Sequence, residues 1–178
     1  AQLSHLCFGY EVDRYVAANS AEDGASLLDF LSDAVDYARL HRPRADIAVG
    51  VAVTLAALAD AKGAQRWLLG DEAIAVYDPL NDAGELKSTA SGAEEVGTAL
   101  DTLVGGARLL ALWEVGYPSA AGSSEKAQRE YYTAMLGLLG ERRERLSFVS
   151  FFALGDRAAS DCDAEALLFG DDAAEAAL

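Results

Sequence analysis

Glu11 and Glu114 are the side chains of this sequence best placed to do chemistry. Each follows an apolar run and precedes a turn: Gly9-Tyr-Glu-Val-Asp13 in one case, Trp113-Glu-Val-Gly-Tyr-Pro-Ser119 in the other. Carboxyl groups held together can divide acid, base and nucleophilic work when their surroundings set different protonation states. Trp113 and Tyr117 flank Glu114, and flat aromatic faces suit sugar rings, although both types serve equally well as packing residues. Acidic residues number 29 of 178, so a carboxylate after any one strand is unremarkable by itself. The weight lies in where the two glutamates fall relative to the elements around them.

Other chemistries have little support. Two cysteines, Cys7 and Cys162, cannot build a disulfide scaffold or a thiolate zinc site. Cys7 sits in an apolar stretch and reads as a small buried residue. His5 and His41 lack metal-ligand spacing, so no metal and no cofactor is expected. No Gly-x-Gly-x-x-Gly, Walker loop or Gly-x-Ser-x-Gly elbow follows a strand. The balance of 14 basic to 29 acidic residues gives a net charge of -15. That excess argues against nucleic acid, which needs a basic footprint, and against an anionic membrane surface. No apolar run reaches the roughly 18 residues of a transmembrane helix.

Positioning two glutamates 103 residues apart in sequence requires a framework, and the apolar pattern describes one. Strands are expected at 3–9, 47–54, 73–77, 108–113 and 146–152. Between them, 26–40 reads as a helix with Leu27, Phe30, Leu31, Ala34, Val35 and Ala38 on its packed face. Further helices are expected over 56–69, over 92–104 and after the N-cap candidates Ser123 and Ser124. A short helix near 163–169 and an acidic, Ala-rich tail at 171–178 close the chain. Strand and helix in alternation imply an α/β fold of parallel strands with right-handed crossovers. An open doubly wound sheet and part of a (β/α)8 barrel both fit, and both put chemistry at the carboxyl ends of the strands. Glu11 and Glu114 lie at two of those ends. The chain begins on a strand with neither Met nor a signal-like segment, as expected of a piece of something longer.

Several of these segments resemble clan A glycoside hydrolases, the endo-β-1,4-galactanase branch above all. Trp113-Glu-Val-Gly-Tyr-Pro-Ser119 and the following Ser123-Ser-Glu-Lys-Ala-Gln-Arg129 look like the part that carries the nucleophile. Phe8-Gly-Tyr-Glu-Val-Asp13 resembles the strand-4 Gly-Asn-Glu motif of the acid/base. Val76-Tyr-Asp-Pro-Leu80 resembles the strand-6 Tyr-Tyr-Pro segment, and 146–156 resembles strand 8. The chain departs from this pattern twice, with Tyr10 for the Asn and Asp78 for the second Tyr.

The resemblance implies that residues 1–170 are strands 4 to 8 of a (β/α)8 TIM barrel, with three N-terminal βα units absent. It implies a retaining hydrolase of a β-linked poly- or oligosaccharide, needing no cofactor, in a secreted or periplasmic setting. Glu114 would be the nucleophile and Glu11 the acid/base, with Tyr10, Tyr77, Asp78, Trp113 and Tyr117 as substrate-binding candidates. Asp78 would add negative charge beside the nucleophile. Two rival readings stand beside it: an inactive carbohydrate-binding relative on the same fold, motivated by Tyr10 and Asp78, and an unrelated open α/β domain that binds a partner. A five-unit piece would leave 3–9 and 146–152 as edge strands, an opening for self-association and a reason to expect little activity from the piece alone.

Overall fold

Alternate residues of a strand point to opposite faces, so a parallel strand lined on both sides by apolar residues must serve two layers. The computed structural model describes residues 3–60, 63–81, 84–103, 109–119 and 122–151. The expected helix at 163–169, the tail, Cys162 and Phe152 lie outside the described residues. Within them the order is β1 (His5–Cys7), α1 (Val12–Ala18), α2 (Ala21–His41), β2 (Ala48–Gly50), β3 (Ala52–Thr54), α3 (Leu55–Ala59), a 3-10 turn (Ala64–Trp67), β4 (Ala73–Val76), α4 (Ser91–Thr102), β5 (Leu110–Val115), α5 (Glu125–Glu141), a 3-10 turn (Arg143–Arg145) and β6 (Leu146–Phe151).

All strand pairing is parallel and follows chain order: β1 with β2, then β3, β4, β5 and β6 side by side. The protein is therefore an α/β fold of parallel sheets, with β1 at an edge. The single strand expected at 47–54 is split at Val51. Its first half pairs with β1 (His5 opposite Ala48) and its second with β4 (Ala52 opposite Ile74). The split has a local cause. Gly70, at φ 96°, brings its backbone against the Val49 carbonyl, where a Cβ would lie 2.0 Å from that oxygen. The Asp71 amide then donates to the same oxygen at 2.8 Å, so the turn before β4 holds the side of β2 that β4 would otherwise pair.

One face of the sheets carries Val49, Val51, Val53, Ala73, Ala75, Leu110 and Leu112 into the main core. Helices cover that face with Leu31 and Val35 of α2, Val96 and Leu100 of α4, and Tyr131 and Met135 of α5. The other face is a small cluster of Ala52, Ile74, Val76 and Ala111, edged by Cys7 and Trp113. The sequence places Phe30 on the packed stripe of α2, but it is 65% exposed. The stripe instead centres on Leu31 and Val35, one turn apart, with Leu27, Leu28 and Ala38 at its margins. The helix expected at 56–69 is shorter, ending at Ala59, and α1 was not apparent from the pattern. Helix starts are capped as their residue types predict: Ser20, Thr54 and Ser124 each accept from the amide three residues on.

At the amino ends of the strands, the two outermost strands meet. Glu72, just before β4, accepts from His5 Nε2 of β1 at 3.1 Å and from Ser147 Oγ of β6. The His5 and Phe148 rings lie 5.4 Å apart. No described helix is long and apolar enough to cross a membrane.

Two glycines test this packing in opposite directions. A Cβ at buried Gly92 would come 2.5 Å from the Tyr131 ring and 2.9 Å from the Met135 methyl, whereas one at Gly137 meets nothing within 4 Å. Gly92→Ala should cost about 1–3 kcal/mol through overpacking. Gly137→Ala, in the exposed interior of α5, should gain about 0.5–1 kcal/mol. Denaturant unfolding of the two variants beside the wild type checks both signs.

Candidate active site

The turn after β1 supplies the first half of the site. Gly9 (φ 74°) turns the chain, Val12 fills the space a side chain there would need, and Glu11 caps α1 in a left-handed conformation (φ 47°). Glu114 supplies the second half. It lies near the end of β5, where three residue steps from Leu112 to Val115 face two on β6, from Val149 to Phe151. That extra residue is a β-bulge, a device that re-aims a side chain at the end of a strand. Glu114 too is left-handed (φ 64°). Among the described residues, Glu11 and Glu114 are the two with positive φ that are not glycine. Such backbone costs on the order of 1–3 kcal/mol per residue and persists where surrounding structure imposes it.

The two glutamates are linked by their neighbours. The Tyr10 hydroxyl donates to Oε2 of Glu114. Arg14, one turn into α1, reaches Oε2 of Glu11 at 3.3 Å and also donates to Oδ2 of Asp78. Asp78 Oδ1 accepts from the Leu80 amide at 2.8 Å. The turn itself is anchored by Asp13, whose carboxylate accepts from the Thr54 amide at 2.7 Å and the Thr54 hydroxyl at 2.6 Å. Sites on the ends of β1, β3, β4 and β5 thus form one connected polar rim.

Electrostatics distinguish the groups. Burial pushes the Glu11 carboxyl above the usual carboxylate range; Arg14 opposes this, while Asp78, Asp13 and Glu114 add to it. Tyr10 is raised by partial burial and by Glu114, so it remains a neutral donor. Asp78, expected to add negative charge beside Glu114, is held by Arg14 and is among the charges that raise Glu11. Burial also pushes the Cys7 thiol up to about 11, which leaves it an unreactive thiol that donates to the Gly9 carbonyl.

Tyr10, Glu11, Asp78 and Glu114 therefore come together, and three other candidates do not join them. Tyr77 follows Ala73 and Ala75 onto the helix-covered face and packs 5.4 Å from Tyr131. Tyr117 is buried on the same side, stacked 4.9 Å from Tyr131, with its hydroxyl on the Lys87 carbonyl. Both are buried among packing residues on that face, since strand parity sends residue 77 there and residue 78 to the rim. Trp113 lies on the inner face against the Ala52, Ile74, Val76 and Ala111 cluster, beneath the rim. Arg14, Asp13 and Thr54 were missed. A basic residue three after Glu11 was the available signal for Arg14, usable only once α1 is known to be helical.

Among the described residues, no group of three or more His, Cys, Asp or Glu side chains could hold a metal ion. No protein-family model, curated protein or solved structure matches the chain.

The raised Glu11 has a consequence for stability. A carboxyl whose folded-state pKa lies above its unfolded value favours the fold while protonated. That contribution is complete below about 4.3, the ordinary glutamate value, and is lost as pH rises through the folded value. Glu11→Gln removes the loss. Its melting temperature should match the wild type near pH 4 and exceed it at pH 7. A wild type that gains on the variant as pH rises would contradict this placement of Glu11.

Proposed function

We propose that this chain carries the paired carboxylates of a retaining O-glycoside hydrolase, built on part of a (β/α)8 barrel and acting on a β-linked poly- or oligosaccharide. One observation carries the reading: two glutamates on the carboxyl ends of parallel strands, both held left-handed, share one polar rim. Strands in unbroken chain order support the barrel part, since a doubly wound sheet reverses its order.

In this reading the elevated Glu11 is the protonated partner. An oxygen of the Glu114 carboxylate attacks the anomeric carbon as the bond to the leaving oxygen breaks, and Glu11 gives its proton to that oxygen. Glu11, now ionised, takes a proton from water; the water oxygen attacks the same carbon and breaks the ester to Glu114. This needs carboxyl groups about 5–5.5 Å apart. Tyr10 engages Oε2 of Glu114, which leaves Oε1 for attack. Its hydrogen bond slows the first step by stabilising the carboxylate, and helps the second, in which the carboxylate leaves. Arg14 neutralises Asp78 beside Glu11 and so limits how far the acid is raised.

The same phenol favours a second reading. Tyr10 stands where the resembled motif has Asn, and it sits on the carboxylate that must react, as in a protein that binds glycans without turnover.

Hydrolysis of aryl β-glycosides with graded leaving groups decides between them. Glu114→Ala should abolish turnover. Glu11→Ala should lose about 10²–10⁴-fold on poor leaving groups and far less on activated ones, which leave without protonation. Equal losses across the series would remove Glu11 from the acid role. Binding of oligosaccharide with no turnover of any substrate would establish the second reading.

A further inference from the structure

At the amino ends of the strands, opposite the Glu11–Glu114 rim, three side chains stand in line. Ser4 Oγ lies 2.9 Å from His5 Nδ1, and His5 Nε2 lies 3.1 Å from Oε2 of Glu72. That order fixes the protons. An ionised carboxylate only accepts, so Glu72 takes the Nε2–H of His5 and leaves the Nδ1 lone pair to accept from the Ser4 hydroxyl. Ser147 Oγ donates to the same oxygen of Glu72 and holds it in place. The imidazole and the carboxylate are largely shielded, at 16% and 15% exposure, while Ser4 is exposed. A hydroxyl set on a base, with that base oriented by a carboxylate, is the arrangement that turns serine into a nucleophile.

Ser4 and His5 also form one wall of a pocket of about 210 Å³, whose other walls are Leu3, Ile74, Ala111, Trp113 and Phe148. Small-molecule sites commonly run from roughly 300 to 1,000 Å³, so this one suits a small group. Those other walls are apolar and Glu72 stands behind His5, so an anion would lose its hydration there without gaining a partner. A main-chain donor adjoins the serine. The Ser4 carbonyl accepts from the Ala48 amide and the Phe8 amide donates to the Gly50 carbonyl, so the main-chain groups of residues 4, 6 and 8 face β2. Those of His5 and Cys7 then point to the other edge of β1, which pairs with no strand among the described residues. The His5 N–H, next in chain to the serine, is thus available to a developing oxyanion.

We propose that Ser4, His5 and Glu72 form a catalytic site separate from the rim, one that hydrolyses small neutral carboxylic esters through an acyl-serine. The acyl group sits in the apolar pocket. Ser4 Oγ attacks the carbonyl carbon as its proton passes to His5 Nδ1, and Glu72 steadies the imidazolium without being protonated itself. The tetrahedral adduct expels the alcohol oxygen, which takes that proton from His5, and the acyl group stays on Ser4. Water then adds to the acyl carbon and gives a proton to Nδ1. The bond to Oγ breaks, Oγ recovers the proton, and the carboxylic acid leaves. No step draws on Glu11 or Glu114, so this site stands or falls separately from the glycosidase reading.

The test uses the full chain with p-nitrophenyl acetate and butyrate, and the anionic p-nitrophenyl hemisuccinate for comparison. Ser4→Ala and His5→Gln should each lower kcat/KM about 10²–10⁴-fold. Glu72→Gln should lower kcat with KM nearly unchanged, as a positioning residue requires. His41→Gln removes the other histidine, an exposed one, and should leave the rate unchanged. A rate that falls with His41, or that survives Ser4→Ala, would be imidazole catalysis at the surface and overturns the site. Butyrate should be cleaved about tenfold faster than hemisuccinate, and equal rates would overturn the neutral substrate class. A neutral fluorophosphonate reads the nucleophile without turnover. Its phosphorus should bond to Ser4 Oγ as fluoride leaves, which puts the added mass on the peptide holding Ser4, and His5→Gln should abolish the labelling. Labelling at another residue, or equal labelling of the His5→Gln protein, contradicts the proposal. Ser4 is exposed, so Ser4→Ala should melt with the wild type, and its lost rate is then loss of the nucleophile and not of the fold.

Discussion

A strand buried on both faces works only if its alternate residues are sized for two different layers, and that constraint governs this protein. On β3, β4 and β5 the outward set is Val53, Ala75, Leu110 and Leu112, which meet large helix residues such as Tyr131 and Met135. The inward set is Ala52, Ile74, Val76 and Ala111, two of them alanine, which form a smaller cluster of their own. The same parity then settles what each strand delivers past its end. Asp78 continues the inward set of β4 to the rim, and Tyr77 continues the outward set into the core. On β5 parity alone would not aim Glu114 where it lies, and the bulge supplies the correction.

Gathering Glu11, Asp78 and Glu114 on one rim concentrates like charge, and the surroundings manage it group by group. Arg14 lies between two of the carboxylates. Tyr10 gives the third a neutral donor. What remains uncompensated falls on Glu11, whose carboxyl is raised by burial and by its acidic neighbours despite Arg14. Left-handed backbone at Glu11 and Glu114 adds a conformational cost at the same two residues. Stability is spent locally and supplied elsewhere, by the helix layer and by the Asp13–Thr54 anchor under the turn.

Apolar runs made the strand positions and the α/β class legible in the sequence, because a buried parallel strand announces itself without any knowledge of its partners. The two glutamates were legible for the same reason: they stand directly after such runs. What escaped depended on residues far apart. The break at Val51 follows from Gly70 docking on Val49, 21 positions away. Arg14 finds Asp78 across 64 positions. Tyr77 and Tyr117 lie close to Asp78 and Glu114 in sequence, but strand parity and the Tyr131 stack decide where their rings go. Phe30 was misplaced by a helix stripe one residue wider than the real one.

Tyr10 and Glu11 are consecutive, so the residue that holds one carboxylate and the residue that bears the other share a single peptide unit. Most surface turns absorb an added or deleted residue with little effect. The turn from Gly9 to Val12 has no such slack. Adding one residue there would rotate Glu11 off the start of α1, separate it from Arg14 at the next turn, and draw the phenol from Glu114. The turn therefore accepts an exchange of side chains more readily than a change of length, and the reverse holds for a connection that carries no such paired contacts.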